Sequence, residues 1–488
     1  MLAVATSAAA LPQLDTAFPG SRRAPKVAGT SFRRPAQTSA ATRQPLVFVV
    51  HPTRPLLDLS WRHAYGLATG SLKAWRSLDG RAASVRLVLG PAAAARLAGL
   101  WLLLGDGPSG FRVTASEAEA AAAVAADITA IGIVTGDALS PAVRAARLDG
   151  NDPLRSPDRW PVSVPAAASP GPVTTAIAFG DVLTSRTVDA KMVAARDFRS
   201  PWRAVGERLA AADLAFGNFE GTISRNAQPR SGGTSFVSRV GVIDGFRYAG
   251  IDFLSLANNH VGDFGPGTLV ETRKLIRDAG IATAGAGAND AQAREPAIIE
   301  RHGVRFAFVT FNAIVGPPVA DEDSPGAVWI HMAPWNPFRQ GELDRVAADV
   351  RAARQRADVV IVYPHWGQEY VARPNADQRR VARALIDAGA DMIIATHPHW
   401  VQGAEIYKGR LIAYSLGNFV FDQTWSEETQ QGAALDLVFW GPRLVGASFI
   451  PVQIEDAHRP RFVDPEAGAG ILRRIWGASG DPYVAAAE

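Results

Sequence analysis

The chain has 488 residues, 47% of them apolar and 20% charged, which is the composition of folded globular domains and enough length for two or three of them. A formal charge of +3 spread over this length is too small to point to nucleic acid. The Arg-rich, Lys-poor basic set (Lys only at 26, 73, 191, 274 and 408) points to a GC-rich genome rather than to a partner. Cysteine is absent, which excludes disulfides, thiolate metal sites, cysteine nucleophiles and lipid attachment through a lipobox.

The opening MLAVATSAAALPQLDTAFPG is small and apolar without a basic n-region, and its apolar runs fall far short of the ~20 residues of a membrane span. It reads either as a remnant signal segment or as disorder. Arg, Ser, Pro and Thr dominate onward, so 1–44 is predicted to be a solvated tail. A first unit is expected over 45–165. It opens with the strand LVFVV (46–50), and Ser60 is a natural N-cap for a short helix ending near Gly70. RLVLG (86–90), Ala-rich helical stretches and the strand, turn and helix start of AIGIVTGDAL (130–139) follow. This is a small α/β layout.

PVSVPAAASPGPVTT (161–175) has no helical period and reads as a linker. The second unit, 172–456, alternates short buried strands with helices. The strands are TTAIAF (174–179), LAF (214–216), FLSLA (253–257), RFAFVTF (305–311), VVIVY (359–363), MIIAT (392–396) and LIAYSL (411–416). Helical patterns cover 201–212, 268–280, 342–357 and 378–389. Such alternation predicts an α/β sandwich with mixed sheets. The remainder, 457–488, is read as a tail.

Polar clusters cap these strands: Gly180-Asp181, GNFE (217–220), ANNH (257–260), YPHWG (363–367) and THPHW (396–400). In open α/β sheets, ligands bind beyond the carboxyl ends of the strands. Only nine His occur in the whole chain, and four of them sit in these clusters. His-x-His on an extended segment would send both rings to one face. Imidazole, carboxylate and carboxamide together suit Mn, Fe or Zn. Two such ions about 3.5–4 Å apart can share one carboxylate and stabilise charge on substrate oxygens, while a His off the metals donates a proton to the leaving group.

Two resemblances follow from these residues. In the first unit, Pro52, Pro55, Leu59-Ser60, Gly70, Trp75, Leu78, Gly80 and Ile131 to Val134 resemble the periplasmic phosphate-binding-protein family over about 120 residues. These matches are scaffold residues, and a complete binding protein has two lobes where this chain has one. The resemblance therefore implies one α/β lobe acting as an adaptor or partner surface rather than a free-phosphate receptor.

In the second unit, the order GD…GN-x-E…NNH…PHWG-x-E…THPH…SLGNFVFD resembles the CapA family of poly-γ-glutamate capsule biosynthesis, an offshoot of the calcineurin-like metallophosphoesterases. The resemblance implies a four-layer αββα sandwich and two divalent ions. One would be held by Asp181, Glu220 and His399. The other would be held by Glu220 as bridge with Asn259, His365 and His397. His260 falls at the proton donor's position and Arg186 at an anion-contacting one. Asn258, Glu369 and Asn418 match supporting or substrate-contacting positions. Two departures stand out: Leu183 replaces the His of the phosphoesterase Asp-x-His opening, and Leu183-Thr184-Ser185-Arg186 lacks the Gly usual in the CapA opening.

Three functions remain open at this stage. They are a dimetal phosphoesterase-type hydrolase tied to envelope polymer, a non-catalytic assembly factor binding poly-γ-glutamate or its synthase, and a metal-dependent γ-glutamyl amidase. The expected partners are an anionic small-molecule or polymer substrate and an envelope-polymer synthase, with no nucleic acid and no transmembrane span. By resemblance, the location is extracytoplasmic.

Overall fold

The structure, a computed structural model, describes residues 42–104, 111–226 and 233–483. The tail read over 1–44 lies, up to residue 41, outside the described residues; Arg43 and Gln44 are corrected to the start of the strand Arg43–Val50, where they pair with Pro165 and Val164.

The buried runs of the second unit pair into two sheets. In the first, Ala282–Ala284, Phe253–Ser255, Leu214–Phe219 and Val173–Val182 lie side by side in that order, all parallel. Gln431–Trp440, Arg443–Glu455 and Arg459–Phe462 extend it antiparallel. The second sheet runs Ala297–Arg301, Val304–Val309, Val359–Val362, Met392–Ile394, Arg410–Ala413 and Ala404–Tyr407. Its four central strands are parallel and its edges antiparallel.

Side chains alternate between faces with the strand period of two. Along Val173–Val182, Ala176 and Ala178 point between the sheets, where Phe216, Phe253, Phe306 and Phe308 meet them. Ile177 and Phe179 point outward into a layer shared with the helices Arg186–Ala195, Val242–Tyr248 and Pro266–Asp278. Gln340–Arg354 and Ala376–Asp387 cover the other sheet. This is the four-layer αββα sandwich expected from the sequence. The Tyr363 hydroxyl donates to the Phe179 carbonyl, tying the two sheets together just below their carboxyl ends.

The first unit is a small α/β lobe. Its sheet holds Arg112–Val113, Arg86–Leu89, Ala130–Thr135, Arg43–Val50 and Arg144–Ala145, with Ser163–Pro165 also paired to Arg43–Val50. Ser60 caps the helix Trp61–Thr69, its side chain accepting from the His63 amide at 3.2 Å, and Gly70 ends it with φ 71°. The lobe rests on the sandwich through Trp440. That indole packs beside Gly136 and donates to the Leu154 carbonyl at 2.7 Å. Arg443 adds hydrogen bonds to the carbonyls of Gly136, Asp137 and Leu139 at 3.0–3.1 Å. The linker read over 161–175 narrows to 166–172, which form neither strand nor helix, because Ser163–Pro165 pairs into the lobe's sheet and the strand Val173–Val182 begins the sandwich.

The reading of 457–488 as a tail is corrected as far as Tyr483. Arg459–Phe462 is a strand of the first sheet. The helix Ala469–Gly477 places Ile471, Ile475 and Trp476 in the apolar layer between the sheets, with Tyr483 stacked on Trp476. One short apolar stripe carries little signal in isolation; the open end of the sandwich stabilises it as a helix. No helix among the described residues is long and apolar enough to cross a membrane.

Trp440→Ala should weaken the seat of the lobe, at a cost of about 3 kcal/mol for a truncated buried indole. The expected outcome is a lower thermal midpoint together with faster proteolysis within 166–172. Unchanged proteolysis would show that the lobe is held elsewhere.

Candidate metal centre

The parallel strands of both sheets end on the same side of the sandwich, and the polar clusters converge there. Asp181 lies inside the strand Val173–Val182 rather than after it. Its neighbour Gly180 has no room for a side chain, since a Cβ there would sit 1.9 Å from the Gly417 carbonyl. Glu220 follows Leu214–Phe219, Asn258 to His260 follow Phe253–Ser255, and His365 follows Val359–Val362. His397 and His399 follow Met392–Ile394, but not on an extended segment. The backbone bends there, with φ 97° at His397 and 56° at His399, so strand alternation does not place these rings. Left-handed backbone at a non-glycine residue costs on the order of 1–3 kcal/mol. The Asp181 carboxylate helps hold the bend by accepting from the His397 amide at 3.1 Å.

Asp181, Glu220, His365, His397 and His399 are all buried. Two sets of potential ligand atoms each lie within 4.8 Å of one another: Asp181, Glu220 and His365, and Glu369, His397 and His399. Glu220 stands between them, with Oε1 3.8 Å from His399 Nε2. Donors bound to one ion at about 2.0–2.2 Å lie roughly 3–4 Å apart. Two observed spacings match: 3.7 Å from His365 Nδ1 to Asp181 Oδ1 and 3.9 Å from His399 Nε2 to Glu369 Oε1. On its other nitrogen, His365 Nε2 lies at hydrogen-bond distance, 2.8 Å, from Asn259 Oδ1. The grouping differs from the one implied by resemblance. His365 joins Asp181 and Glu220, and Glu369 joins His397 and His399.

Both oxygens of Glu220 and both ring nitrogens of His397 are buried without a hydrogen-bond partner. Buried atoms of this kind cost desolvation that nothing among the described residues repays. A divalent cation would satisfy the carboxylate oxygens of Glu220 and the lone pair of one His397 nitrogen, so the donor set fits a metal.

The surrounding hydrogen bonds orient these donors. Asn418 Nδ2 reaches the Thr429 carbonyl, which can only accept, at 2.9 Å. Asn418 Oδ1 therefore faces His399 Nδ1 at 2.9 Å, which puts the proton on Nδ1 and leaves the Nε2 lone pair for the cluster. Asn258 Nδ2 reaches the Phe219 carbonyl at 2.7 Å, so its Oδ1 accepts from the His260 amide at 3.1 Å. Asn218 donates to Asp181 Oδ1 at 2.8 Å.

His260 lies at the mouth. Its Nδ1 is 2.8 Å from Asp263 Oδ2, its Nε2 is 3.7 Å from Glu220 Oε1, and its ring stacks on Phe236 with centroids 3.8 Å apart. The Arg186 guanidinium lies over the Phe236 ring, 4.6 Å from its centroid. Its guanidinium is already engaged, donating to Asp422 Oδ1 and, at 3.2 Å, to the Gly233 carbonyl. Of the residues singled out in the sequence, all converge on this end of the sandwich, with Arg186 tied to a carboxylate and Glu369 only half-buried. Asn218 and Thr396 lie inside the quoted clusters but were not singled out. Asp422 is the last residue of the SLGNFVFD run and Asp263 closely follows ANNH, whereas nothing local marks Phe236.

Burial sets the charges. It raises the Asp181 carboxyl to about 6, and burial with the charge of Asp181 raises Glu220 well above the usual range. Burial lowers His399 to about 3 and holds His365 and His397 well below their ordinary value. The imidazoles are thus neutral near pH 7 and available as ligands.

Residues 175–423, just over half the chain, match the family model described as bacterial capsule synthesis protein PGA_cap, and the chain belongs to that family. It is 34% identical over 230 residues to the capsule biosynthesis protein CapA of Bacillus anthracis, covering 46% of this chain and 54% of that protein. It is 31% identical over 258 residues to the PGA biosynthesis protein CapA of Bacillus subtilis, covering 52% and 65%. A third relative, from Mycobacterium tuberculosis, carries the description "Probable polyglutamine synthesis accessory protein" and is 32% identical over 263 residues, covering 50% and 66%. The chain thus spans roughly half to two thirds of the length of the curated relatives it matches. Among solved structures, an ABC-type phosphate transport receptor from Vibrio cholerae (18% identical, 25% of this chain and 55% of that one) has a TM-score of 0.23. A hypothetical protein from Thermus thermophilus (17% identical, 58% and 100%) has one of 0.37.

Burial raises both carboxyls, so a metal entering the cluster competes with protons at Glu220 and, below about pH 6, at Asp181. Affinity is expected to fall as pH drops through about 6, and loading near pH 7 to release protons. Calorimetry in buffers of different ionisation enthalpy measures both. An affinity indifferent to pH across that range would contradict this charge assignment.

Proposed function

We propose that the chain is a metal-dependent hydrolase of phosphoester-type bonds that serves the making of a capsule or envelope polymer outside the cytoplasm. The observation that carries this reading is the buried cluster in which Glu220 and His397 have no partner, with His260 poised 3.7 Å from Glu220. Asp181, Glu220, Asn259, His365, His397 and His399 would hold two divalent ions, with Glu369 beside His399. Bound there, such ions supply Lewis-acid charge and make water a stronger nucleophile near neutral pH.

The chain's own residues do the rest. Asp263 accepts from His260 Nδ1, which points Nε2 toward the cluster. Stacking on Phe236 and the Asn258 bond to the His260 amide hold the ring in place. From there His260 can pass a proton to a leaving oxygen. Arg186, anchored by Asp422, adds positive potential at the mouth rather than a free fork.

A second reading, a non-catalytic assembly factor that binds poly-γ-glutamate or its synthase, is favoured by the relatives' descriptions, which speak of biosynthesis. A γ-glutamyl amidase would use the same groups on an amide. Turnover of aryl phosphoesters and γ-glutamyl anilides by metal-loaded protein separates the three. The expected result is phosphoester cleavage that falls about 10²–10⁴-fold in His260→Ala with metal retained. Cleavage of the anilide alone favours the amidase. Cleavage of neither favours the assembly factor.

A further inference from the structure

Where the lobe meets the sandwich, a cleft of about 430 Å³ opens against the Gln431–Trp440 and Arg443–Glu455 strands. That is the volume of a ligand pocket rather than a packing defect. Four arginines line it (Arg144, Arg147, Arg155 and Arg208), along with three aspartates (Asp152, Asp436 and Asp464).

The aspartates are spoken for. Asp436 takes Arg155 at 2.5 Å and lies 3.7 Å from Arg208. Asp152 lies 3.6 Å from Arg147 and 3.8 Å from Arg155. Asp464 accepts from the amides of Glu466 and Ala467, capping its own turn. Arg144 is left over. Among the described residues it has no ion pair, and its Nε is shut off from solvent without a hydrogen-bond partner. Burial lowers this guanidinium to about 10, so it keeps its charge near neutral pH. Leu154, Val438, Phe449 and Phe462 supply apolar wall. Gly446 keeps the cleft's floor thin, since a Cβ there would come within 2.5 Å of Leu154.

We propose that this cleft is an anion-binding site, in which Arg144 takes the carboxylate of a ligand whose hydrocarbon stem lies on the apolar wall. Four arginines against three aspartates leave one net positive charge. That matches a single carboxylate, whereas a phosphate dianion would face three nearby carboxylates with too little compensation. A guanidinium with open donors is suited to a two-oxygen acceptor. The cleft is not the metal cluster. Asp436 pairs with Ile177, four residues before Asp181, which places it roughly 13 Å along the sheet from that carboxylate. A glutamyl chain carries the required chemistry, carboxylates on short methylene stems. Choosing it as probe rests on the polymer role proposed above, but the carboxylate site does not.

The test is calorimetric titration of the whole chain with glutarate, a short γ-linked glutamyl oligomer and inorganic phosphate. Chelator is present throughout, so that failure of the metal reading leaves the result intact. Binding of glutarate and oligomer is expected, weakened about tenfold or more in Arg144→Met with the thermal midpoint kept, and several-fold in Arg147→Gln. Should Arg144→Met not fold, Arg147→Gln and competition by phosphate carry the decision. Binding of the oligomer alone would support the site with a polymer as its source; binding of both would support it with a small free acid as well. No binding of either carboxylate, binding untouched by the substitutions, or tighter binding of phosphate would overturn the proposal.

Discussion

Two buried carboxylates, Asp181 and Glu220, face three neutral imidazoles where the two sheets of the sandwich meet. In an apolar interior an ionised carboxylate is stabilised only by a counter-charge or by hydrogen bonds directed at it. Asp181 has some of the latter, from Asn218 and the His397 amide. Glu220 has none, and the nearest guanidinium, that of Arg186, is already paired with Asp422. The fold therefore gathers two buried carboxyls and three imidazoles at the carboxyl ends of its strands, a position that a divalent cation would complete.

Much of the surrounding architecture serves to place those donors. Tyr363 binds one sheet to the other through the Phe179 carbonyl, two residues from the Asp181 and His365 positions on either side. Gly180 lets the chain at Gly417 close on the Asp181 strand, and Asn418, one residue on, fixes the proton of His399. The left-handed bends at His397 and His399 are the strained part of the arrangement, and strain of that kind persists where neighbouring contacts over-determine the backbone. Away from the cluster, the lobe and the segment up to Tyr483 pack against the antiparallel half of the first sheet and leave the metal end clear.

The sandwich was legible in the sequence because its strands are buried on both faces, and short unbroken apolar runs such as VVIVY and MIIAT announce that directly. The donor residues were legible because each ends such a run. What sequence reasoning missed depends on contacts distant in the chain. The bend at His397 is held in part by Asp181, more than two hundred residues earlier. The grouping of Glu369 with His397 and His399 depends on how one loop lies over another. Phe236 carries no local signal, yet both His260 and Arg186 pack on its ring. The segment after residue 456 looked like a tail because its apolar residues are few, and only the inter-sheet layer makes sense of Ile475 and Trp476.

Whether the cluster around Glu220 holds metal is decided by elemental analysis of protein purified without chelating tags, comparing the wild type with Glu220→Gln. About two equivalents of Mn, Fe or Zn per chain are expected in the wild type, with a clear loss in the variant at an unchanged fold. A wild-type chain that holds no metal, even after reconstitution with each of these ions, would contradict the metal assignment.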